Sequence, residues 1–74
     1  MTNRKIPEGL QILDAEPVEV KNPYTGEAVM LKPDAVAVYD MIKGGEQFKL
    51  YDDVRLGLDW FKKHELKAYY VLLD

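Results

Sequence analysis

The chain has 74 residues, of which 47% are hydrophobic and 31% charged, with a formal net charge of −3. That length gives one small domain, residues 1–74, too apolar to stay disordered and too small for core burial alone to stabilise it amply. It has no cysteine, which excludes disulfides and thiolate metal sites, and its single histidine, His64, does not make a zinc site within one chain without an unusual set of carboxylates.

With disulfides and metals set aside, self-association is the remaining source of stability, so a homodimer is expected. The opening "MTNRKIPEGLQ" carries charge but no apolar run behind it, so it does not read as a secretion signal. No stretch approaches the roughly 18 apolar residues of a membrane span, so a cytoplasmic location without membrane contact is expected. Residues 1–9 read as a partly flexible tail. Ile12 and Leu13 are expected to begin a short extended piece against the core.

In "EPVEVK", Val18 and Val20 alternate with Glu19 and Lys21, the period of a strand with one wet face. In "EAVMLK", Val29 and Leu31 alternate with the apolar Ala28 and Met30, which predicts a strand covered on both faces. The segment "NPYTGE" between them joins the two as a hairpin. Asn22 and Pro23 suit the first two positions of a type I turn, and Gly26 suits the left-handed residue that follows. Tyr24 is the one residue that this turn chemistry does not request.

"KPDAVAVYDMIKGGE" predicts a helix with Pro33 at its first position, Asp34 in its first turn and Lys43 in its last. Gly44 and Gly45 then read as its left-handed cap. Ala35, Val38, Tyr39 and Ile42 share one side, flanked by Ala37 and Met41. A second helix follows, with Asp52 at its start or, as the alternative, a start near Gln47, and with a stripe of Leu50, Val54, Leu58 and Phe61. Gly57 lies within its apolar face, which points to close approach by the first helix or the sheet. The final "LKAYYVLLD" predicts a buried strand from Tyr69, Tyr70 and Val71, with a continued helix as the alternative. The expected class is α+β, in the order β-β-α-α-β, with the helices on one face of a small sheet.

Few residues carry chemistry. Without cysteine or serine, the familiar nucleophile arrangements are excluded, and Thr2 and Thr25 have no evident base. Asp52 and Asp53 read as helix-start acids, because neighbours on a helix do not face one another. A carboxylate-based hydrolase or ligand binder would therefore assemble distant residues and need a pocket of about 300 Å³. Gly44-Gly45 follows a helix and adjoins Glu46, so it does not cradle phosphate. The ten basic residues are dispersed and outnumbered by thirteen acids, which disfavours nucleic acid, though a nucleic-acid-associated accessory role is the alternative reading. No catalytic, metal or cofactor site is assigned. Tyrosine is enriched at interfaces, and Tyr24, Tyr69 and Tyr70 are the candidate interaction residues. On a strand, Tyr69 and Tyr70 would point to opposite faces.

The segments "NPYTGEAVMLKPDAVAVYDMIKG" and "VRLGLDWFKKHELKAYYVLLD", within residues 16–74, resemble small uncharacterised proteins of tailed phages infecting marine bacteria. The resemblance implies an accessory protein in an infected bacterial cytoplasm and assigns no activity or residue role. Together these readings predict a non-catalytic, self-associating protein-interaction module, with a host or phage protein as a further partner.

Overall fold

Val18 and Val20 are half-buried while Glu19 and Lys21 are exposed, so alternation does place one face of β1 (Val18–Lys21) inward. It pairs antiparallel with β2 (Ala28–Leu31) in the register Val18–Leu31, Glu19–Met30, Val20–Val29, Lys21–Ala28. This computed structural model describes residues 4–7, 9–13 and 15–73. The element order continues with α1 (Pro33–Phe48), α2 (Tyr51–His64) and α3 (Leu66–Leu72).

The turn obeys its residue chemistry. The Asn22 side chain accepts the Tyr24 N–H at 2.8 Å, Gly26 takes φ +79°, and Asn22 N–H donates to the Glu27 carbonyl at 2.7 Å. The hairpin is covered on one face only. Met30 on the outer face is 58% exposed, so the expectation of a strand buried on both sides is corrected. Two antiparallel strands carry helices on a single face, which leaves the other apolar positions in water.

Lys32 is extended (ψ 157°), as a residue before proline must be, and Pro33 opens α1 behind it. Ala35, Val38 and Ile42 are fully buried on the face predicted for them. The helix does not stop at Gly44-Gly45. It runs one turn further and ends at Lys49, which holds the left-handed conformation (φ 60°, ψ 35°). Lys49 and Leu50 N–H donate to the carbonyls of Glu46 and Gly45, closing a Schellman motif with lysine where glycine is usual. Lys43 therefore lies inside the helix rather than in its last turn.

Gly45 is a point of contact instead of a cap. A Cβ there would lie 2.8 Å from Val54 Cγ2. On α2, a Cβ at Gly57 would run into Ile42, with its Cδ1 at 2.8 Å and Met41 Cε at 3.2 Å. Each helix thus offers a glycine socket and fills its neighbour's with a branched side chain three residues away. The pairings Ile42–Gly57 and Gly45–Val54 run in opposite senses, which makes α1 and α2 an antiparallel hairpin. Of the two neighbours expected to approach Gly57, the first helix or the sheet, it is the first helix that does.

The predicted C-terminal strand is absent: residues 66–72 form α3, the alternative reading. Glu65 breaks α2 with φ −139° and ψ 56°, and Tyr69 N–H then donates back to the Glu65 carbonyl at 2.8 Å. Ala68 and Leu72, four residues apart, are buried on one stripe. Burying that stripe against α2 and β2 outweighs the strand preference of Tyr69, Tyr70 and Val71. The core gathers Leu31, Ala35, Val38, Ile42, Trp60, Phe61, Ala68 and Leu72. Ile12 and Leu13 do not pack as an extended piece; they are 50% and 82% exposed.

Candidate functional site

Two places concentrate features that the core does not require. The first is built around Arg4, in the segment read as a tail. Its Nε and Nη2 donate to Asp34 Oδ2 and Oδ1 at 2.9 and 2.7 Å. Nη1 donates to the His64 carbonyl at 3.1 Å and pairs with Glu65 Oε2 at 2.7 Å. The guanidinium carbon lies 4.8 Å from the centre of the Trp60 ring. Trp60 Nε1 donates to the Lys5 carbonyl at 2.7 Å, and Ile6 and Leu10 pack against the core.

Each partner is placed by a local feature. Asp34 sits in the first turn of α1, where its Oδ1 also accepts the Ala35 N–H at 2.7 Å. The His64 carbonyl is free because α2 ends there, and Glu65 turns inward because it is the break between helices. The side chains of Arg4, Asp34 and Glu65 are only 11%, 13% and 20% exposed. Arg4, donating chiefly to Asp34, holds that carboxyl below the ordinary carboxylate range against the opposing effect of burial. In return, the hydrogen bond from Asp34 raises the guanidinium further, burial opposing.

Sequence reasoning passed over Arg4, which lies in a polar stretch without periodicity. The only available signal was a first-turn acid, Asp34, in a chain with few arginines.

The second place is the connection between α1 and α2. Phe48, Leu50 and Tyr51 are 70%, 51% and 66% exposed. With Lys49, Asp52 and Asp53, the last two of these line a depression of about 470 Å³ that is wide open to solvent. Its volume exceeds the 300 Å³ or so expected of a ligand site. Among the described residues, however, no hydrogen bond couples Asp52 or Asp53 to each other or to another side chain. Both acids lie in the first turn of α2, as expected.

Of the candidate tyrosines, Tyr24 is 94% exposed at the hairpin tip and Tyr70 is 60% exposed on α3. Tyr69 is half-buried, with its ring edge-on to Tyr70 at 5.7 Å and Lys62 Nζ 5.4 Å from its centre. The two rings are therefore neighbours on a helix, not residues on opposite faces of a strand. Asn22 Nδ2 donates to the Val71 carbonyl at 2.8 Å, tying the hairpin turn to α3.

Among the described residues, no group of three or more His, Cys, Asp or Glu side chains is placed to hold a metal ion. None of the described helices is long and apolar enough to cross a membrane. Comparison with protein-family models, curated proteins and solved structures gives no match.

Proposed function

We propose that this protein is a non-catalytic protein-interaction module that associates with a second copy of itself through the α1–α2 connection. The observation that carries this reading is the run Phe48–Tyr51, in which three large apolar side chains stand at least half exposed within four residues. Apolar surface left exposed in a cluster marks association sites. The charges around it favour a second copy as the occupant. A two-fold axis brings the patch onto its own copy, and because the patch carries both signs of charge, Lys49 of one copy can pair with Asp52 or Asp53 of the other. By the phage resemblance, such a module would act in an infected bacterial cytoplasm, where a host or phage protein would be a further partner.

Sedimentation velocity over rising micromolar concentration tests the reading. A monomer–dimer equilibrium is expected in the unaltered chain. Phe48→Asp and Tyr51→Asp, which lie outside the core cluster and the residues packed on it, are expected to shift it to monomer while leaving the circular dichroism unchanged. A monomer at high micromolar concentration overturns self-association. A dimer that survives both substitutions overturns this surface.

A further inference from the structure

Beyond that reading, we propose that the Arg4 cluster is a guanidinium-binding site built by the helical body, and that the chain's own N-terminal arm is its tethered ligand. The body supplies four acceptors and a stacking face: two carboxylate oxygens from Asp34, one from Glu65, the His64 carbonyl and the face of Trp60. The Asp34 contact is bidentate, the geometry that selects a planar fork over an ammonium.

The arm is held by few other contacts. Among the described residues, no backbone–backbone hydrogen bond joins residues 4–17 to the rest of the chain. Arg4 reaches partners thirty and sixty positions away, across a connector at residues 11–13 and 15–17 that is exposed throughout.

The site also reads the two residues after the arginine. Trp60 Nε1 donates to the carbonyl of Lys5, and Ile6 packs on the core. The ligand class is thus a segment with arginine, any residue, then an aliphatic side chain. Such a segment on another polypeptide can compete for the site when the arm lifts.

Arg4→Ala empties the site within the full chain, and ethylguanidinium at millimolar concentration is the probe. The expected result is a saturable rise in the thermal midpoint with a change in Trp60 fluorescence. Ethylammonium should give neither, and adding Asp34→Asn should weaken the response about tenfold or more, since a charge-assisted pair is lost. If Arg4→Ala is unfolded alone, the same titration is read as recovery of helical circular dichroism. A response equal for the two cations, or unchanged by Asp34→Asn, overturns the proposal, as does no response at all.

Discussion

The α1–α2 seam and the Arg4 junction each join distant parts of the chain, by opposite means. The seam is dry and shape-matched, with Ile42 seated at Gly57 and Val54 at Gly45. The junction is polar and charge-matched, with one guanidinium satisfying two carboxylates and a carbonyl. A seam of the first kind is indifferent to pH and salt but intolerant of added volume. The second kind tolerates changes of volume and depends on the ionisation of its members. A small core gains from using both, because acid, which weakens the junction, leaves the seam intact.

The largest expected break in this contrast is Gly57→Val. Its branched side chain would occupy the space of Ile42, costing about 3 kcal/mol by overpacking. In a domain of this size that lowers the midpoint by roughly 12 to 24 °C, or abolishes folding, in a thermal melt at any pH. Asp34→Asn strikes the junction instead and should cost about 1 to 2 kcal/mol at neutral pH.

Its pH signature separates the two regions. The Asp34 carboxyl is held below its ordinary value in the folded protein, so its contribution is present above that value and lost as pH falls through the lowered one. The unaltered chain should therefore lose stability on acidification across that window, and Asp34→Asn should flatten part of the slope. Denaturant midpoints measured from neutral to strongly acidic pH check this; parallel curves would count against the junction's role.

A smaller effect of opposite sign is expected beside the seam. A Cβ at Gly44 meets nothing within 4 Å, whereas its neighbour Gly45 faces Val54. Gly44→Ala should stabilise α1 by about 1 kcal/mol, while Gly45→Ala should not. Paired urea titrations decide it, and equal effects would show that Gly45 is no socket. Least of all, Tyr24→Ala should leave stability within about 0.5 kcal/mol, since the turn uses its backbone and not its ring.

These differences also explain which features were legible in the sequence. Alternation placed β1 and β2, and Asn22, Pro23 and Gly26 placed the turn, because local geometry decides both. Gly57 was readable as a socket because a glycine inside an apolar stripe has few other uses. Gly44-Gly45 misled because adjacent glycines satisfy a capping rule that tertiary contact overrides at Gly45. The last segment misled because Tyr69, Tyr70 and Val71 speak for a strand locally. Ala68 and Leu72 speak for a helix only once there is a core to meet. Of the candidate residues, the tyrosines came from an interface preference. The Arg4 site did not emerge, since its parts lie at positions 4, 34, 60, 64 and 65 and no period links them.

That dispersal has a kinetic consequence. The α1–α2 hairpin closes through Lys49 and Leu50 alone, so its contacts are short-range and should form early. Arg4 cannot meet the His64 carbonyl until α2 has ended and the chain has turned at Glu65. The arm is thus the last piece to dock in folding and, held by side chains rather than by a backbone ladder, should be the first to leave.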